Sequence, residues 1–287
     1  MTTTREVRIG CVQTPALPTF DEAIEAACRL AGDAVAAGAE FVCLPEYCGG
    51  LKSENGVLNP PAAPEASHPV LEALRAFTRD AGVWMLIGSI AVDGPEGRLI
   101  NRGFLVDDKG EVRARYDKIH LFDVDLSETE RYRESAVINP GKQAVVTDTP
   151  WGRLGMTTCY DLRFPHLYRS LAQAGAEILA VPAAFMKVTG QAHWHVLNRA
   201  RAIENGAVVV APCAVGPVPG GGAVYGHSLI VSPWGEVLAE GGDGVSTIVA
   251  AVDMESVASV RRRVPSLRHD RPFNQPAQVE PGRRSVT

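Results

Sequence analysis

A cysteine that ends a strand and opens a turn before a helix is placed to attack a carbonyl carbon, and Cys159 in MTTCYDLRFP has that setting. Pro165 fits the first turn of the helix, where its missing N–H is not needed. A helix N-terminus lowers a thiol's pKa and leaves backbone N–H groups free for an oxyanion, so Cys159 is expected to be a nucleophile. Glu46 follows the apolar run FVCLP at the carboxyl end of a strand, the edge at which open α/β sheets bind ligands. A partly desolvated acid there suits proton transfer. Lys118 closes EVRARYDK and opens a long segment without periodicity, of the kind that lines a site; its ammonium would balance an oxyanion. Glu134, in the same segment, is either a surface acid or a partner for that lysine. Taken singly, these residues also have ordinary readings: a small core thiol, the first solvated residue of a loop, an exposed strand-end lysine.

The elements that must position them alternate. VRIGCVQT (7–14) reads as a strand, DEAIEAACRLAGDAVAAGA (21–39) as an amphipathic helix stopped by Gly38, and AEFVCLPE (39–46) as a buried strand ending at the acid. Ser67 is placed to cap the helix HPVLEALRAFTRDAG, and strands follow at 84–92, 98–108 and 111–118, with turns at Asp93-Gly94 and Lys109-Gly110. The second half repeats the order: strand 153–159, helix 164–176, strand 177–183, helix 189–206, strand 207–213 and the hairpin HSLIVSPWGEVLAEG. Two such β-α-β-α-β-β halves, each unable to cover both faces of its sheet, pack sheet on sheet with helices outside. The expectation is a single-domain α/β four-layer α-β-β-α sandwich over residues 1–264, followed by an extended Pro- and Arg-rich tail over 265–287.

The chain has 287 residues, 46% of them hydrophobic, enough for one large core. Its net charge of −5, with scattered cations, excludes a phosphate-binding stripe and hence a nucleic-acid partner. The start MTTTREVRIGCVQT has no signal-peptide pattern and no segment approaches a membrane span, which predicts a soluble, unexported, cytoplasmic protein. Six cysteines without a Cys-x-x-Cys pair predict mostly core thiols rather than a disulfide scaffold.

With FVCLPE around Glu46, YDKIHLFD around Lys118 and TTCYDLRFP around Cys159, the sequence resembles the nitrilase (carbon-nitrogen hydrolase) superfamily over nearly its whole length. The resemblance implies a Glu46, Lys118, Cys159 triad, with Glu134 auxiliary and the Tyr160 N–H in the oxyanion hole. It further implies a four-layer fold, hydrolysis of a small-molecule amide through a thioester, no metal or organic cofactor, and a homodimer paired through helices 164–176 and 189–206. HLFDVDL, RYRES and TGQAHW are similar to the branch that includes deaminated-glutathione amidases and ω-amidases. A nitrilase or an N-carbamoyl-amine hydrolase would use the same triad, and a catalytically silent scaffold would keep the fold without needing it.

The branch implies an acidic amide, and in an acidic protein such a substrate needs local cations. Arg163, Arg131 and Arg133 are the candidates, since a guanidinium pairs with a carboxylate through two parallel hydrogen bonds. LSETE (126–130) and PVPGGGAVYG (217–226) are expected to border the pocket. The string His193-Trp194-His195 does not predict a metal site, because residues two apart on a helix face different ways and no third ligand is evident. Gly220-Gly221-Gly222 lacks the ending of a phosphate loop. Arg261, Arg262 and Arg263 read as a solvated helix end.

Overall fold

The computed structural model describes residues 5–54, 57–126 and 131–274. Its first half contributes β1 (Glu6–Gln13), α1 (Phe20–Ala36), β2 (Phe41–Cys43), α2 (Pro69–Ala81), β3 (Trp84–Asp93), β4 (Leu99–Val106) and β5 (Val112–Asp117). The second contributes β6 (Val145–Thr149), β7 (Gly152–Met156), α3 (Pro165–Gln173), β8 (Ile178–Ala180), α4 (Lys187–Asn205), β9 (Val208–Ala211), β10 (Leu229–Val231), β11 (Val237–Glu240), β12 (Ser246–Asp253) and α5 (Glu255–Arg263).

One sheet runs β12-β1-β2-β3-β4-β5 and the other β6-β7-β8-β9-β10-β11. In each, a parallel centre is flanked by antiparallel strands. Because neighbouring strand residues face opposite sides, each buried strand feeds two cores. Ile178 and Ala180 of β8 join Ile9, Phe41, Leu86 and Val210 between the sheets, while Leu179 faces outward with Tyr168, Leu171 and Trp194. On the other side Val42, Leu44 and Ile87 meet Ala27, Leu30, Ala34 and Leu74 of α1 and α2. The order is helices, sheet, sheet, helices, which is the expected α-β-β-α sandwich.

The structure departs from the sequence reading at element ends and sheet edges. β2 stops at Cys43 and β7 at Met156, so Glu46 and Cys159 lie a turn beyond their strands. Ser67 belongs to a short 3-10 turn; His68 is the N-cap of α2 and makes no side-chain cap bond, the entry being set by Pro69. Edge strands β6 and β12 are additional, and β12 crosses from the second half to pair with β1 in full register. Of the region expected to be a tail, Ser266–Arg268 form a 3-10 turn and Arg169 holds Asp270; residues 275–287 lie outside the described ones. Among the described residues, no helix is long and apolar enough to cross a membrane. The six cysteines are free thiols, five of them buried.

Candidate active site

The loops leaving the parallel strands β2 and β7 bring Glu46 and Cys159 to one place, where Lys118, directly after β5, and Glu134, in the segment between β5 and β6, meet them. After β2 the chain runs through Pro45 and Glu46 to Tyr47, whose φ of 52° is left-handed. After β7 it reaches Cys159, the first residue of the 3-10 turn Cys159–Arg163, with φ at 48°. A non-glycine residue in this region is strained, by roughly 1–3 kcal/mol, and persists only where its surroundings fix it. Asp161 does much of that fixing. Fully buried, it accepts from the Thr158 N–H at 2.8 Å, the His120 N–H at 3.1 Å and the Tyr116 hydroxyl at 2.6 Å. Gly88 of β3 lets the layers close: a Cβ there would lie 2.2 Å from the Leu44 carbonyl oxygen and 2.5 Å from the Pro182 side chain.

Glu46, Lys118, Glu134 and Cys159 converge here, exposed by only 2%, 2%, 5% and 7%. The Lys118 ammonium donates to Glu46 Oε1 at 2.9 Å and to Glu134 Oε2 at 2.7 Å. Each carboxylate has further donors. Glu46 Oε2 accepts the Ala184 N–H at 2.8 Å, and Glu134 accepts the Phe122 N–H at 2.7 Å and the Tyr47 hydroxyl at 3.1 Å. Asn101 spans the pair, donating to Glu46 at 2.9 Å and to Glu134 at 3.3 Å. A buried ion pair is stable only when its spare lone pairs are satisfied in this way. The sequence reading missed Asn101, Asp161 and Tyr47; the available signal was a polar residue within the largely apolar β4, beside Arg102, or directly after a buried strand.

The thiol departs from expectation. Burial, joined by the negative charges of Glu46 and Glu134, pushes Cys159 well above the ordinary thiol range, against the opposing pull of Lys118. A short 3-10 turn carries little dipole, so the helix-terminus lowering does not prevail. Lys118 loses solvation on burial, yet the charges of Glu134 and Glu46 outweigh that loss and hold its ammonium well above the usual lysine range. The resting pair is thus a neutral thiol beside a fixed cation. A thiol in that state needs a base, and the Glu46 carboxylate, whose charge acts directly on the thiol, is placed to supply one. The Cys159 N–H is bound to the Pro182 carbonyl at 2.8 Å, whereas the Tyr160 N–H lies in the first turn, where no intrahelical acceptor exists.

These groups lie at one end of a cavity of about 440 Å³. Its walls include Phe122, Tyr132, Phe185 and Met186, and Lys52, Arg131 and Arg133 stand along it. Arg133 is held by Asp125 through two contacts of 2.7 and 2.9 Å, and Arg131 lies 3.7 Å from the same carboxylate. Arg163 is not part of the lining: its guanidinium packs over the rings of Tyr160 and Phe185 and donates to His193 at 3.3 Å. Lys52 is a cation the sequence reading passed over, and among the described residues its ammonium has no carboxylate partner. Gly220, Gly221 and Gly222 reach the cavity as expected of the Gly-rich loop. Of LSETE, Ser127–Glu130 lie outside the described residues.

A four-layer sandwich with a buried Glu-Lys-Cys cluster at its strand ends defines a class, and the carbon-nitrogen hydrolase family model matches residues 8–262: the chain belongs to that family. It is 42% identical to a deaminated glutathione amidase of Yersinia enterocolitica, over 77% of this chain and 81% of that one. It is 34% identical to the omega-amidase NIT2 of Xenopus tropicalis, over 92% and 95% of the two chains. The crystal structure of the C. elegans NitFhit protein superposes with a TM-score of 0.84 at 32% identity, covering 94% of this chain and 66% of that longer one.

Proposed function

We propose that this protein is a deaminated-glutathione amidase that works through a covalent thioester on Cys159. One observation carries the reading: a buried thiol gathered with a carboxylate that holds a buried ammonium at 2.9 Å, at the end of a cation-lined cavity. The amidase names carried by the relatives point to the same substrate class.

Each step follows from these positions. Glu46 takes the thiol proton as the sulfur attacks the amide carbon, and the carbonyl oxygen becomes an oxyanion facing the Lys118 ammonium and the Tyr160 N–H. Glu46 passes the proton to the amide nitrogen, the C–N bond breaks, and the amine departs, leaving the acyl group on sulfur. Water enters the amine's place and gives a proton to Glu46 as it attacks the thioester. The C–S bond breaks, the sulfur regains its proton from Glu46, and the carboxylic acid is free. Glu134 keeps Lys118 charged and oriented without touching the reacting atoms.

Deaminated glutathione carries a carboxylate at each end, so its burial needs cations away from the triad. Lys52 and Arg131 provide them, while the Arg133 fork is already engaged by Asp125. We further propose a cytoplasmic homodimer, paired through α3 and α4; Val188, Val196 and Ile203 expose 63%, 68% and 53% of their surface along α4, which suits a covered face. Purified protein is expected to hydrolyse deaminated glutathione to a 2-oxo dicarboxylate and cysteinylglycine. Its kcat/KM should exceed that for 2-oxoglutaramate, neutral amides, nitriles and N-carbamoyl amines. Preference for a nitrile, an N-carbamoyl amine or a neutral amide overturns the substrate, and a monomeric mass at micromolar concentration overturns the dimer.

A further inference from the structure

Outside the catalytic cluster, three elements bring two imidazoles onto one carboxylate oxygen. His195 on α4 places Nε2 3.0 Å from Glu240 Oε1, at the end of β11, and His227, just before β10, places Nδ1 2.6 Å from the same oxygen. The three ligand atoms lie within 4.8 Å of one another. None of these residues lines the amide-binding cavity. The string His193-Trp194-His195 offered no third ligand, and the fold supplies two from distant segments.

The second imidazole is held by its surroundings. Its far nitrogen, Nε2, faces Asp243 Oδ1 at 3.1 Å. The His227 backbone is pinned by its N–H to the Gly242 carbonyl at 3.0 Å and by the Trp194 indole N–H to its own carbonyl at 2.7 Å. The Tyr225 ring stacks on the imidazole at 4.3 Å between centroids. A carboxylate on the outer nitrogen of a histidine fixes which nitrogen carries the proton and aims the other at a metal. Two imidazole nitrogens and one carboxylate oxygen form a donor set that zinc takes at about 2.0–2.2 Å, with water completing a tetrahedron.

We propose that His195, His227 and Glu240 form a binding site for a divalent transition metal of the zinc type, with Asp243 orienting His227. Binding would open the two nitrogen-to-oxygen distances, now 3.0 and 2.6 Å, to the roughly 3.3 Å or more that these bond lengths impose on neighbouring donors of a tetrahedron. It would release to solvent any proton on His227 Nδ1 or His195 Nε2, while the Nε2–H of His227 stays donated to Asp243. The metal would tie α4 to the β10-β11 hairpin, a structural role apart from amide hydrolysis.

The test uses the full chain without an affinity tag, carrying Cys159→Ala so that the nucleophile does not take metal. After chelator treatment, zinc chloride is titrated by calorimetry and melting is followed with and without the metal. One saturable equivalent per chain and a raised Tm are expected. His195→Ala, on an exposed turn of helix, and Glu240→Gln should each abolish both effects while leaving the metal-free Tm close to that of the parent. Asp243→Asn should weaken binding by about 10–100-fold. Cobalt(II) should give the intense visible bands of a tetrahedral centre, lost in His195→Ala. Absence of a saturable equivalent overturns the proposal, and so does an equivalent that persists in both ligand variants.

Discussion

The two ends of the cavity that holds Cys159 are built differently. At the inner end Glu46, Lys118 and Glu134 are buried and hydrogen-bonded to one another, to Asn101 and to the backbone N–H groups of Phe122 and Ala184, from two separate segments. At the outer end Lys52, Arg131 and Arg133 stand on loops among the glycines at 220–222, partly open to solvent. The inner end is fixed by sheet ends, so its chemistry tolerates little change; the outer end is carried on loops, where specificity varies at small cost to the fold. Changes at the inner end should therefore act on kcat by orders of magnitude, and changes at the outer end on KM by single factors.

The largest effect is expected for Cys159→Ala, which removes the only nucleophile in the proposed route and should lower kcat by about 10⁴-fold or more with an unchanged circular-dichroism spectrum. Retained turnover would end the mechanism. Lys118→Ala should cost about 10²–10³-fold in kcat as an oxyanion partner. It also strands two buried carboxylates, a loss of about 3–5 kcal/mol in stability. Adding Glu134→Gln should recover part of the Tm but none of the activity. Joint recovery would show that Lys118 serves only the fold.

The thiol gives the next test. Since burial and the Glu46 charge disfavour the thiolate, Cys159 should carry no thiolate absorbance at pH 7. In Glu46→Gln the base is lost, and alkylation by iodoacetamide should become slow at pH 7 and rise about tenfold per pH unit toward the ordinary thiol range near 8.5 and beyond. A thiolate signal at neutral pH contradicts this reading. For the fold, Gly88→Ala should lower stability by about 1–3 kcal/mol, read as a fall in Tm, because the added Cβ meets backbone oxygen rather than a movable side chain.

The inner end was also the more legible one in the sequence. Glu46, Lys118 and Cys159 each follow a strand with a strong local pattern, and the alternation of strands and helices was enough to give the four layers. Asn101 was not legible, since its role exists only once β4 lies beside the end of β2. Edge strands β6 and β12 escaped for a related reason: their pairing partners are set by the packed halves, and their own residues are mostly half-buried. The expected lowering of the Cys159 pKa failed because a sequence shows a helix N-terminus but not the burial of the thiol, nor the two carboxylates that the fold brings against it. At the outer end the arginines were noticed for their type, yet Asp125 engages Arg133 and Arg163 stacks outside the cavity, whereas Lys52 sits in a Gly- and Pro-rich loop that gave no signal.

Lys52 accordingly gives the smallest effect. Its side chain lies on the wall, half-buried, and it has no ion partner among the described residues, so its charge is available to a ligand. A partly solvated pair between an ammonium and a carboxylate contributes about 1 kcal/mol, which corresponds to roughly a fivefold change in affinity. Lys52→Met keeps the length and apolar stem of the side chain and removes only the charge. It should therefore raise KM for deaminated glutathione about fivefold at low salt, with kcat nearly unchanged, because the contact is made equally in the ground and transition states. The effect should shrink as ionic strength rises, since a partly exposed pair is screened. For 2-oxoglutaramate, which lacks the second carboxylate, the same variant should leave KM near its starting value if Lys52 binds the cysteinylglycine end. An equal rise for both substrates would move Lys52 to the 2-oxo acid end, and no rise for either would separate it from substrate recognition and reduce the contrast between the two ends of the cavity to one of burial alone.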